Sequence, residues 1–259
     1  MKIEILRNGG AVASAEQATE TYLVFKEEYQ EGDQIRFTPE QAGFVTLQFD
    51  AVLGRATVYS NGQPFVMNIP FGQKHDCYQE SVFKGALHFL WARKAYEWEH
   101  NCYRNLSLNP YDCHEDDSLF PHSRANIETR GESVFASRNA IDGIVASNWH
   151  GLWPWASWGI NRDPEAKLTL DFGRPVTIDR IIMYTRADFP HDAWWTEGTF
   201  SFSDGSELVM PLEKKDGPQE ITFPEKTITS LELDRLIKAD DPSPFPALIQ
   251  IEVYGKDAE

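Results

Sequence analysis

The 259-residue chain contains no apolar run near the roughly 20 residues that a membrane span requires. It also has no cluster of Lys and Arg; 24 basic against 40 acidic residues leave a net charge of −16. Like charges repel on approach, so neither nucleic acid nor a membrane surface is expected as a partner, and neutral or cationic ligands fit better. HExxH, P-loop, GxGxxG and nucleophile-elbow motifs are all missing. The opening MKIEILRNGGAVASAEQ lacks the sustained apolar core of a secretory signal. As it stands the sequence reads as cytoplasmic, or as secreted if a leader has been removed.

Cysteine is scarce. Cys77, Cys102 and Cys113 form no CxxC, but His75, His100 and His114 stand beside them, and sulfur with imidazole can bind zinc. Ligands of a zinc site normally lie closer together in sequence. Reduced thiols beside surface histidines are therefore the expectation.

What the chain does have is 41% apolar and 13% aromatic residues, ample for buried cores. The regular stretches have period two: TYLVFK, QIRFT, FVTLQFD, ATVYS and FVMNI in the first seventy residues, then AKLTLDF, TIDRIIMYT, TFSFS, ELVMP, EITF, TITSLELD and ALIQIEVYG. Turn formers such as EYQEGD, PEQAG and SNGQP separate them, and Asp204-Gly205 reads as a type I′ hairpin. ALHFLWARKAYEWE fits either a strand or the start of a helix. Strand periodicity fades over the Asn-, Asp-, Pro- and Ser-rich stretch after residue 109. The spacing predicts an all-β chain of two β-sandwich, jelly-roll-type domains: 1–115, of unknown role, and 116–259.

Six of the eight tryptophans fall between Trp149 and Trp195. Trp149, Trp153 and Trp155 lie in NWHGLWPWASWGIN, whose Gly, Pro and Asn interruptions mark a loop, and Trp158 leads into a strand as a core residue. Adjacent strand residues face opposite ways, so one of Trp194 and Trp195 should be buried and its neighbour exposed. An exposed indole can stack on the C–H face of a pyranose, while planar polar groups pair with the hydroxyls. Both ingredients occur here: His150 beside the first loop's tryptophans, and Arg186, Asp188, His191 and Asp192 before Trp194 and Trp195. The same acids also serve as turn caps, and Arg186 as their ion-pair partner.

The stretches SRANIETRGESVFASRNAIDG, WASWGINRDPEAKLTLDFGRPVTIDRIIMY, FSDGS and ALIQIEVYG come in an order that resembles the discoidin, or coagulation-factor (F5/8) type C, domains of the galactose-binding-like superfamily. The resemblance covers about residues 120–257. It implies an eight-stranded jelly roll with ligand-binding loops at one end, in the manner of bacterial carbohydrate-binding modules. It also implies a structural calcium near Asp142, with Gln250 where such domains carry a Glu. Gln offers an oxygen with less charge, so calcium affinity should be lower. The loop after Asp142-Gly143 is enlarged, placing Trp149, Trp153 and Trp155 on an insertion.

The expectation is thus a non-catalytic carbohydrate-binding protein with a glycan or small saccharide as partner; a homo-oligomer is compatible with the composition. Two alternatives stand beside it. One is a glycan-active hydrolase, which needs two carboxylates about 5–10 Å apart, as Glu128 and Glu132 or Glu97 and Glu99 could supply. The other is an interaction scaffold with the tryptophans at an interface.

Overall fold

The computed structural model describes residues 1–148, 151, 153–187, 193–215 and 217–258. The alternating runs of the first half become β1 (Lys2–Arg7), β2 (Gly10–Glu16), β3 (Glu20–Phe25), β4 (Gln34–Thr38), β5 (Gly43–Gln48), β6 (Ala56–Ser60), β7 (Phe65–Asn68) and β8 (His88–Lys94). The ambiguous ALHFLWARKAYEWE divides into β8 and a single-turn helix, α1 (Glu97–His100).

The remaining strands are β9 (Arg104–Asn105), β10 (Leu119–Phe120), β11 (His122–Ala125), β12 (Trp158–Gly159), β13 (Leu168–Thr185), β14 (Trp195–Phe202), β15 (Glu207–Pro211), β16 (Gln219–Lys238) and β17 (Ala247–Asp257).

Among the described residues, the first half forms two antiparallel sheets, β2-β1-β4-β7 and β10-β6-β5-β8-β3. Period two sends one side chain in two inward, so Ile3, Ile5, Ile35 and Phe37 of one sheet share a core with Leu23, Phe25, Leu47 and Leu90 of the other. This is a β-sandwich. The second half follows the order β12-β17-β13-β16-β14-β15, with β11 on β13 and β9 on β17. Here the strands are longer than the runs suggest: AKLTLDF and TIDRIIMYT belong to one β13. Its start pairs with β11 and its end with β17, while β16 follows it along both parts. Register shifts after Asp171 and after Ile178 mark where the sheet bends over its own core. Gly173 sits at the first bend with φ +67°, and a Cβ there would lie 2.4 Å from the Phe120 ring, so only glycine fits.

That second core contains Trp158, Leu168, Leu170, Phe172, Ile181, Trp195, Phe200, Leu233 and Ile251. The chain is therefore all-β, built of two sandwiches. They trade short strands around residue 115: β9 joins the second-half sheet and β10 the first-half one. The Asp204-Gly205 hairpin forms between β14 and β15, but not as a type I′ turn. Only Gly205 has positive φ (+84°), and Phe202 exchanges hydrogen bonds with Gly205 and Ser206, which makes a three-residue loop closed by a glycine bulge.

Candidate functional site

The end of β13, the start of β17 and the segment after β12 meet at one end of the second sandwich. The Arg186 N–H donates to Ala247 O at 3.1 Å, tying the first two together. Between them and the turn at Thr129–Gly131 lies a cavity of about 220 Å³. Its walls include Thr129, Arg130, Phe135, Asn161, Arg162, Arg186 and Phe245.

Local sequence explains each wall. Ile160 to Asp163 form a tight turn closed by Asp163 N–H to Ile160 O at 2.9 Å, with φ +50° at Asn161 and +63° at Arg162. Positive φ at both central positions is the pattern of a type I′ turn, in which the second place normally belongs to glycine. The Asn161 N–H donates to Thr129 Oγ1 at 2.9 Å, locking the turn onto the opposite wall. Arg130 is a third non-glycine residue at positive φ (+55°). Such residues cost of order 1–3 kcal/mol and gather at binding sites. Gly159 lets the walls come close: a Cβ there would stand 2.7 Å from Thr129 Oγ1 and 3.1 Å from Phe135.

Phe245 stands between Pro244 and Pro246, which fix the backbone, and it is 42% exposed. The Arg162 guanidinium lies 4.5 Å over its ring. Arg130 stacks at 5.4 Å on Phe135 and holds Glu132 through two bonds of 2.6 and 2.7 Å. Arg186 is 1% exposed, and its Nη1 donates to Trp155 O over 3.5 Å.

Of the sequence-derived candidates, the structure brings Arg186 into this cavity. Trp149, His150, Asp188, His191 and Asp192 lie outside the described residues. Trp195 is fully buried in the second core, so it cannot be a stacking surface: β14 alternation turns it inward. Trp194 is half-buried and lies under the Lys214 ammonium at 4.9 Å. Trp155 packs edge-on against Phe135 at 5.8 Å and leans on the first-half core. Trp153 is 41% exposed and faces a separate cleft of about 150 Å³, shared with Val52, Leu53 and Asp142. Sequence reasoning missed Phe245, Asn161, Arg162, Phe135 and Arg130. The one available signal was PSPFP, an aromatic held rigid between prolines.

Asp142 and Gln250 do come together, since Gly143 N–H donates to Gln250 Oε1 at 3.1 Å. They do not fit calcium, which takes six to eight oxygens. One Asp142 oxygen accepts Ile144 N–H at 2.8 Å, and the other faces Arg138 at 4.0 Å, so a guanidinium already supplies the positive charge. Burial pushes the Asp142 carboxyl up to about 6, against the pull of Arg138. Cys77 and Cys113 are buried thiols and Cys102 is exposed. Among the described residues no group of three His, Cys, Asp or Glu side chains converges as metal ligands would.

Among curated proteins a sequence search finds no match. Among solved structures the chain is similar to chitosan-binding module 1 of a chitosanase/glucanase from Paenibacillus sp. IK-5, at 19% identity over 58% of this chain and 98% of that one, with a TM-score of 0.39. It is also similar to the family 32 carbohydrate-binding module of C. perfringens NanJ in complex with galactose, at 18% identity, 51% and 91% coverage and a TM-score of 0.38. A Streptococcus pneumoniae fucose-binding module matches at 16% identity, 59% and 98% coverage and a TM-score of 0.41. A family model described as a domain of unknown function (DUF7402) matches residues 124–238, which take in most of the cavity's walls but not Phe245.

Proposed function

We propose that this chain is a non-catalytic saccharide-binding protein and that the cavity between Arg186 and Phe245 is its site. The observation that carries the reading is the combination of an exposed, proline-braced aromatic ring with the planar side chains of Arg162 and Asn161 in one preformed cavity. An aromatic face takes the C–H side of a sugar ring, and planar side chains pair with its hydroxyls. At about 220 Å³ the cavity is smaller than the roughly 300–1,000 Å³ of sites for drug-sized ligands, which suits one sugar residue more than a long oligosaccharide.

The hydrolase alternative draws no support from Glu128, Glu132 or Glu99 as a general acid. A general acid needs a raised pKa. Burial raises Glu128, but His114 and the Ser137 N–H hold it below the ordinary range; Arg130 does the same to Glu132 and Arg93 to Glu99. The interface alternative loses Trp158 and Trp195, which are spent inside their own core.

A glycan array probed with the wild-type chain and Phe245→Ala tests the reading. Saccharide hits that weaken or disappear in a variant of unchanged melting temperature support it. No hits on a broad array, or hits that Phe245→Ala leaves intact, refute it.

A further inference from the structure

We infer that the saccharide taken by this cavity is an acidic one, bearing a carboxylate on its ring; this rests on the saccharide reading above. In a chain of net charge −16 the cavity is lined by Arg130, Arg162 and Arg186 and, among the described residues, by no Asp or Glu. Net charge governs the far field, but a bound group feels its immediate walls, where water is partly excluded and charges act more strongly.

The three arginines are not equivalent. Arg130 is matched by Glu132. Arg186 is buried and donates to the Trp155 carbonyl, so its place is to hold the wall of the cavity. Arg162 is exposed and forms no ion pair among the described residues; its guanidinium lies over the ring of Phe245. Contact with the ring restrains the guanidinium, whose N–H groups suit a planar, bidentate acceptor, which a carboxylate provides.

The backbone argues the same way. Arg162 occupies the second central position of the Ile160–Asp163 turn at φ +63°, where glycine would be unstrained and an L side chain costs about 1–2 kcal/mol. The position therefore supplies a side chain at the expense of local stability. A ring on Phe245 with its carboxylate on Arg162 uses both halves of the stacked pair.

Isothermal titration of the full chain with trigalacturonate, 3′-sialyllactose, the methyl esters of both, and lactose separates the outcomes. The variant is Arg162→Gly, which removes the side chain and relieves the turn. At least one acidic probe should bind about tenfold tighter than its ester, as a charge-assisted hydrogen bond implies. Arg162→Gly should abolish that preference while its melting temperature holds or rises. If esters or lactose bind as tightly as the acids, the acidic assignment fails and the saccharide reading survives. A preference retained in Arg162→Gly also overturns the assignment, because the carboxylate then sits elsewhere. If no probe binds and a broad array of neutral glycans is silent as well, both fail together.

Discussion

The guanidinium of Arg162 lies 4.5 Å over the ring of Phe245, joining two loops separated by more than eighty residues of chain. One loop is a left-handed turn and the other a proline-braced segment, so two rigid backbones hold the pair. A cation–π contact of this kind contributes about 0.5–1 kcal/mol at an exposed site, too little to explain the strain of the turn by itself. The remainder points to what the pair holds.

Phe245→Ala should leave the melting temperature unchanged within a degree or two, since the ring is 42% exposed. It should weaken saccharide binding by roughly two- to tenfold, the equivalent of about 0.5–1.5 kcal/mol for an aromatic contact. Thermal unfolding and titration on the same samples check both halves.

Trp194→Ala and Trp195→Ala should separate cleanly. Trp195 is fully buried in the second core, and truncation there should cost about 3–5 kcal/mol. Trp194 is half-buried beneath Lys214, and its loss should be felt far less. Chemical denaturation measures the difference.

Alternation made this pair legible in the sequence: one tryptophan in and one out follows from period two, whichever is which. The same rule found the strands, because apolar and polar side chains answer to the two faces of a sheet. It could not find the site. Phe245 sits in PSPFP, which has no period, and Asn161-Arg162 lacks the glycine that announces a type I′ turn, whereas Asp204-Gly205 has the glycine and forms a different loop. Arg186 was found because it directly follows a strand, at the loop end where β13 stops. Of the insertion tryptophans that the structure describes, Trp155 serves packing and Trp153 faces another cleft, since abundance of a residue type does not say where its ring points.

Gly159→Ala should lower both stability and affinity. Its new methyl would press on Thr129 Oγ1 and Phe135, and overpacking of this kind costs about 1–3 kcal/mol. Displacing Thr129 also breaks its bond to the Asn161 N–H, so the turn bearing Arg162 shifts. A variant as stable and as tight-binding as wild type would contradict this view of the walls.

The His114–Glu128 pair, 2.7 Å apart, should give stability a pH window. Its hydrogen bond to Glu128 holds His114 above the ordinary 6.5, so that contribution is full below 6.5 and fades as pH rises through the raised value. Glu128, though burial raises it, is held below the ordinary 4.5, so its contribution is present above 4.5 and fades as pH falls through the lowered value. Glu128→Gln should therefore lower the melting temperature most between pH 4.5 and 6.5. His114 is half exposed, so the effect should stay under about 1 kcal/mol.

Calcium should not matter to the fold. With Arg138 facing Asp142 and Gln250 engaged by Gly143, addition of calcium chloride or EDTA is expected to leave the melting temperature unchanged. A calcium-dependent rise of several degrees would mean that Asp142 turns away from Arg138 to hold the ion.

The most direct test of the central claim is a backbone NMR titration of the isotope-labelled chain with whichever saccharide binds. The amides of Thr129, Arg130, Gly159, Asn161, Arg162 and Ala247 should shift together and saturably, with those of the first sandwich left in place. Shifts confined to the Trp153 cleft or to the first sandwich would place the site elsewhere and contradict the account.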